Sequence, residues 1–477
     1  MSADSEPVEE APLPHEALVL GPTTVHKTAR SATGHSDASL RRPQAALGRP
    51  ARRTPPISGW RSAYISLANR DFLLLWLGML FTMSGLQMQM LARSYLVYDI
   101  TESGKILGLV SAAGALPMLS LALFGGAIAD RIDRKRLIQA GQVTSTVISL
   151  LVALSITLGW IVWTHLLIAA LVQGVMWAFL VPARQAIIPQ LVGRENLGNA
   201  VALQGAGMSA TTLAAPPIAG MLYAVIGPEG VYYIISLLGL ASVMITTLVR
   251  TPAAGDKPQR SKMLAEIGGG LSYILRSRLI MALLAIALAT AMLAMPIRFL
   301  LPVFVADVYQ KASGAYGLLI GIMGVGSLIG SLAIASLGTW KRGLLLIIGT
   351  FASGVALVIL AAIPLYYAAV GMMVLLGLGD ASRRTLNLAL LMEQVDDKYL
   401  GRITSVYMMT FGMMSLAILP AGFAIDRWGI EATIWVMGVL MLGIGTLVVI
   451  TQICLTFTLI LSTSFLNERM DCSKPIR

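Results

Sequence analysis

The chain's 477 residues are 56% hydrophobic and only 12% charged, with a mean hydropathy of +0.77, whereas an ordinary soluble domain is about 25% charged. That balance excludes a soluble globular fold, and because the apolar excess is spread along most of the chain, it reads as a polytopic membrane protein. The net charge of +11, from 35 Lys and Arg against 24 Asp and Glu, then bears on which side of the bilayer the loops occupy, and no nucleic-acid partner is expected.

Residues 1–70 are rich in Pro, Ala, Ser and Thr and lack any helical apolar period, so they read as a disordered cytoplasmic arm. The first 26 residues carry five acids and no Lys or Arg, while Lys27 to Arg61 holds eight bases and one acid, Asp37. That basic run fits either contact with anionic lipid or plain solvation. Beyond it, charge-free runs measure the membrane spans. The run Leu137 to Ala183 is 47 residues, about 70 Å as helix against a hydrocarbon core of about 30 Å, so it must hold two helices with a turn at Gly159 to Thr164. Similar lengths split 343–379 at Pro364 and 196–249 at Gly227 to Gly230, and single spans are expected at 72–92, 106–129, 279–304, 314–338, 403–424 and 432–452. The predicted fold class is therefore all-α, with twelve transmembrane helices, since open strands cannot satisfy their backbone in lipid.

Loop cations set the expected orientation. One set of loops holds eighteen Lys and Arg, the alternate set only Lys105, Lys311 and Arg427, which puts both termini in the cytoplasm. The two faces are called here the cation-rich and cation-poor ends. The chain also repeats itself: Val192, Leu197 and Gly198 match Val395, Leu400 and Gly401 at an offset of 203, Gly220 and Gly227 match Gly422 and Gly429, and Gly108-Leu109 matches Gly317-Leu318. Two pseudo-symmetric six-helix bundles, 71–249 and 279–452, are expected, joined by a cytoplasmic linker over 250–278 and followed by an atypical tail at 453–477. Both cysteines, Cys454 and Cys472, fall in that tail, which lacks Gly, Ala and Val and lengthens helix twelve beyond a bilayer's need.

The most specific local pattern is Gly126-Ala127-Ile128-Ala129-Asp130-Arg131-Ile132-Asp133-Arg134-Lys135-Arg136. Gly126 and Asp130 share one helix face at the end of helix two, where the glycine permits close approach and the carboxylate can meet the positive end of a facing helix. This Gly-x-x-x-Asp-Arg-x-x-Arg-Lys run resembles the signature loop of the major facilitator superfamily. Asn69-Arg70-Asp71-Phe72, Leu75-Trp76-Leu77-Gly78, Tyr95-Leu96-Val97-Tyr98-Asp99, Pro182-Ala183-Arg184-Gln185-Ala186 and Pro189-Gln190-Leu191-Val192 are similar to its bacterial enterobactin-exporter-like and macrolide-efflux-like branch. The resemblance implies an inner-membrane exporter of small organic molecules with a central cavity lined by helices one, four, seven and ten. It implies gating roles for Gly126, Asp130, Arg131, Arg134 and Lys135, with Asp130 contacting helix eleven. The matching loop of the second half, ending in Trp340-Lys341-Arg342, lacks the Asp and the first Arg. On helix five, Ala215-Pro216-Pro217-Ile218-Ala219-Gly220 is similar to the family's Gly-Pro-x-x-Gly-Gly pattern, which adds Pro217 and Gly220 to the expected conformational set.

Polar groups inside the spans are candidates for the substrate path: Gln87, Gln89 and Arg93 on helix one, Gln173 on helix four and Arg298 on helix seven. Counted along straight helices, Arg93 lies about 32 Å from Phe72 and Arg298 about 29 Å from Leu279, so the two either meet at an outer vestibule or snorkel to headgroups. Asp380 lies about 22 Å into helix ten and is the single candidate for proton coupling, although Arg383 and Arg384 one turn on make an ion pair the preferred reading. No metal spacing, P-loop or nucleophile elbow is present, so no enzyme, metal or cofactor is expected. The expected function is secondary active export of an amphipathic small organic molecule by a monomer, with import of a nutrient or a non-transporting sensor as the alternatives.

Overall fold

The computed structural model describes residues 66–121, 133–193, 196–250, 278–337, 342–393, 413 and 416–471. Nearly all of them are helical: α1 (Arg70–Thr101), α2 (Gly104–Ala113, continuing to Leu121), α3 (Arg134–Thr157) and α4 (Trp163–Val192). The element Leu197–Thr247 is 51 residues long and breaks at Gly227, giving α5 (197–226) and α6 (228–247). The second half comprises α7 (Arg278–Ala294, resuming as Ile297–Val303 and a π turn Phe304–Val308), α8 (Ser313–Leu337), α9 (Arg342–Ala362), α10 (Tyr366–Glu393), α11 (Ile418–Trp428) and α12 (Ile430–Asp471). Among the described residues nine helices are long and apolar enough to cross a membrane, one of them the broken Leu197–Thr247 element; α10 and the 11 described residues of α11 are not among the nine. The expected arm and linker, apart from their edges at 66–70, 250 and 278, lie outside the described residues, as do Gly126, Asp130, Arg131, Trp340 and Lys341.

Local chemistry explains where these helices start and turn. The Asn69 side-chain oxygen accepts from the amides of Asp71 (3.0 Å) and Phe72 (3.1 Å), and Asp133 accepts from Lys135 (2.8 Å) and Arg136 (3.3 Å), which satisfies amides that have no partner within the helix. Gly227 (φ 73°) and Gly429 (φ 81°) occupy the left-handed region between α5 and α6 and between α11 and α12. They are one of the repeated pairs in the sequence, so the repeat marks two equivalent hairpins.

Two expected spans need correction. α1 runs nine residues past the expected end at Ala92, so Arg93 lies inside the helix and not at its mouth. α7 is interrupted at Met295 and Pro296, where proline has no amide to continue the ladder, so a straight-helix rise misplaces Arg298. α12 continues to Asp471 as one helix of 42 residues.

The packing differs between the two ends. At the cation-poor end a single buried apolar cluster runs through both halves, including Val97, Leu107, Tyr232, Leu301, Leu357 and Ile418. At the cation-rich end the described residues form two separate clusters. One lies within the first half around Phe72, Ile138 and Ile187, and the other within the second around Ile334, Leu346 and Leu386.

The turn geometry sets a stability contrast. Gly227→Ala forces a Cβ into the left-handed region and should cost about 1–2 kcal/mol. Gly205, helical and with nothing within 4 Å of an added Cβ, should accept alanine with no loss, or with a gain of about 0.5–1 kcal/mol. Thermal unfolding of the two detergent-purified variants should therefore place Gly227→Ala below the parent and Gly205→Ala at or above it.

Candidate substrate path and gate

The halves meet at the cation-poor end through two equivalent helix crossings. Where α2 crosses α11, a Cβ on Gly108 would sit 2.9 Å from the Ile418 carbonyl oxygen and 3.3 Å from the Gly422 Cα. Where α8 crosses α5, a Cβ on Gly317 would sit 2.8 Å from the Pro216 carbonyl oxygen and 2.9 Å from the Gly220 Cα. Each is a backbone-to-backbone contact that any larger residue would separate. Gly108 corresponds to Gly317 and Gly422 to Gly220 in the internal repeat, so the weak sequence symmetry is the symmetry of this closure. Pro217 packs against Gly321 in the α5–α8 crossing, and Ser313 Oγ donates to the Gly220 carbonyl at 3.3 Å.

Polar contacts reinforce the seam. Asp426, near the end of α11, accepts from the Gly104 amide at 2.6 Å, the Lys105 amide at 3.2 Å and Ser103 Oγ at 2.7 Å. A carboxylate thereby sits on the amides that open α2, where the helix dipole favours negative charge. Tyr98 Oη of α1 donates to Asp307 in the π turn of α7 at 2.5 Å. Tyr95 lies between rings of both halves, edge-on to Tyr223 at 5.1 Å and stacked on Tyr316 at 6.4 Å.

Deeper in the bundle, a narrow cleft lies between α1, α5, α7 and α8, lined by Gln87, Met90, Thr212, Pro216, Arg298 and Tyr316 among others. Arg298 Nη2 reaches Asp380 Oδ2 at 3.1 Å. Asp380 also pairs with Arg384 at 2.8 Å and Arg383 at 3.4 Å, so one carboxylate, 8% exposed, is shared by three guanidiniums. Arg298 thus joins α7 to α10.

The sequence candidates separate into two groups. Gln87 and Arg298 line one cleft. Arg93 instead donates to Gln173 at 3.2 Å, and Gln173 Nε2 donates to Gln89 at 2.5 Å, a buried chain between α1 and α4 inside the first half. Arg93 and Arg298 therefore do not meet at a vestibule and each has an internal partner, because the α1 extension and the α7 break place both within the bundle. Lys135 donates to the carbonyls of Thr247 (2.8 Å) and Val249 (2.6 Å), fastening the start of α3 to the end of α6, where a cation is favoured. Arg134 begins α3 beside it.

Sequence reasoning passed over Asp426, Tyr98 and Asp307. A signal for Asp426 was present: Gly422-Phe423-Ala424-Ile425-Asp426-Arg427 has the same Gly-x-x-x-Asp-Arg spacing as Gly126 to Arg131. Tyr98 and Asp307 are 209 residues apart, and no local pattern announces such a pair. The shared carboxylate also makes a prediction: Asp380→Asn leaves three clustered guanidiniums without their counter-charge and should cost about 3–5 kcal/mol. A large fall in unfolding temperature is expected, with Asp380→Glu recovering most of it.

Residues 61–463 match the family described as transmembrane secretion effector, within the major facilitator transporters. Among curated proteins, the chain is 27% identical to macrolide efflux protein A of Streptococcus pyogenes, over 78% of this chain and 94% of that one. It is 28% identical to the enterobactin exporter EntS of Shigella boydii, over 74% and 85% of the two chains, and 24% identical to the staphyloferrin A transporter of Staphylococcus aureus, over 72% and 87%. Among solved structures, the nucleoside transporter NupG superposes with a TM-score of 0.64 at 11% identity, covering 80% of this chain and 98% of that one. A bacterial homolog of the human lysosomal transporter Spinster does so with a TM-score of 0.63 at 12% identity, covering 82% and 97%. The family match, the helical membrane fold and the repeated crossings together show that this chain belongs to the transmembrane secretion effector branch of the major facilitator superfamily, a multi-pass transport protein and not an enzyme.

Proposed function

We propose that the protein is a secondary active transporter of the bacterial inner membrane, with both termini in the cytoplasm, that exports an amphipathic small organic molecule by alternating access. The observation that carries the reading is the paired glycine crossing at the cation-poor end. Two equivalent backbone contacts, α2 on α11 and α5 on α8, close one mouth of a cleft whose wall is built from both halves. Rocking the halves about that cleft opens one mouth as the other shuts. Asp426 on the opening amides of α2 serves as the latch of the cation-poor mouth. At the opposite mouth Asp130 and Arg131, with Gly126, take the corresponding role by family resemblance.

Export is favoured over import by the macrolide efflux and enterobactin exporter relatives, whose names state an outward direction. Asp380 is the membrane-embedded acid available for proton coupling, but its three guanidinium partners favour a structural ion pair.

Vesicles of opposite orientation test the reading. Energised inside-out vesicles carrying the protein should accumulate a transported dye several-fold above vesicles lacking it, and right-side-out vesicles should not. Accumulation confined to right-side-out vesicles would make the protein an importer, and binding without flux in either would make it a sensor.

A further inference from the structure

The interior charge of the bundle is unbalanced in a way that bears on what the cleft accepts. Among the described residues, the guanidiniums of Arg93, Arg184, Arg298, Arg383 and Arg384 stand within the spanning helices against one carboxylate, Asp380. Asp99 and Asp307 belong to the cation-poor end of α1 and the π turn that closes α7. Charge in the membrane interior is costly unless it is compensated. At the α7–α10 junction three guanidiniums share one carboxylate, Arg298 and Arg383 inside the bundle and Arg384 partly exposed.

One of those three forms part of the cleft wall. Arg298 uses Nη2 for Asp380, while its Nε, buried from solvent, has no hydrogen-bond partner among the described residues. A buried guanidinium donor without an acceptor is an unmet demand for one, and guanidinium geometry suits a carboxylate. Beside it, Met90, Leu91, Phe299 and Ile320 supply an apolar surface, and Gln87 a neutral amide.

Resting on the export reading above, we infer that the transported molecule is an amphipathic organic anion, whose carboxylate is received by Arg298 and whose apolar body lies along α1 and α8. A guanidinium in the cleft wall disfavours organic cations of equal size. Asp380 then holds Arg298 in place and limits its attraction, so that the anion is released when the halves move.

Three forms of one fluorophore isolate the charge: a methoxycoumarin acetic acid, its methyl ester and its aminoethyl amide. Binding to the full chain in nanodiscs is read by fluorescence anisotropy, and counterflow of each is read in proteoliposomes. The acid should bind at least tenfold more tightly than the amide. Arg298→Gln should lower affinity for the acid at least tenfold and leave the ester within about threefold, while Arg298→Lys, which keeps the charge, should retain most of the affinity. A preference for the amide or the ester in the parent protein overturns the inference whether or not any variant folds, as does an Arg298→Gln variant that still binds the acid fully. Binding of the acid as described without counterflow sustains the anion site and contradicts transport, whereas counterflow of the amide alone sustains transport and rejects the anion.

Discussion

Two pairs of glycines let the backbones of the two halves touch, and the remaining architecture is arranged around that contact. In a bilayer, apolar side chains gain little from leaving lipid for a neighbouring helix, so association relies on close van der Waals approach and on polar links. Gly108 against Gly422 and Gly317 against Gly220 provide the first, and Asp426, Ser313 and the Tyr98–Asp307 pair provide the second. The two crossings are related by the internal repeat. The single apolar core at that end, against separate cores at the other, is the packing consequence.

Charge has a different distribution. Cations crowd the loops of one face, as orientation in a membrane requires, but three of the chain's cations tie helices together. Lys135 ties α3 to the end of α6, Arg93 crosses to α4 through neutral amides, and Arg298 joins α7 to α10 through Asp380. The first two links lie within the first half and the third within the second, so each leaves the halves free to move relative to each other. Those that join the halves in the described residues gather at the cation-poor seam.

Much of this was legible in the sequence. Charge-free runs longer than a bilayer specified the helix pairs, and the turns at Gly159, Gly227 and Pro364 fell where the length required them. The repeated glycines were visible as a pattern, but their meeting was not, because an offset between residues of one chain does not say which pairs touch. The straight-helix estimate failed for Arg298 since a proline break redirects the chain, and for Arg93 since α1 carries Tyr95 to Thr101 beyond the expected boundary on residues apolar enough to continue it. Asp426 went unread because an acid at a helix end resembles an ordinary loop charge until the facing helix is known. It shares its Gly-x-x-x-Asp-Arg spacing with Gly126 to Arg131.

The central claim is that backbone contact at the glycine crossings holds the cation-poor mouth shut. Spin labels at the exposed positions Ile100 and Trp428, one in each half beside that mouth, report its width by pulsed dipolar spectroscopy in nanodiscs. The account predicts a dominant short-distance population in the parent protein, and its depletion in favour of longer distances in Gly422→Leu, by the roughly 5–150-fold that a coupling of 1–3 kcal/mol allows. An unchanged distance distribution in properly folded Gly422→Leu would contradict it.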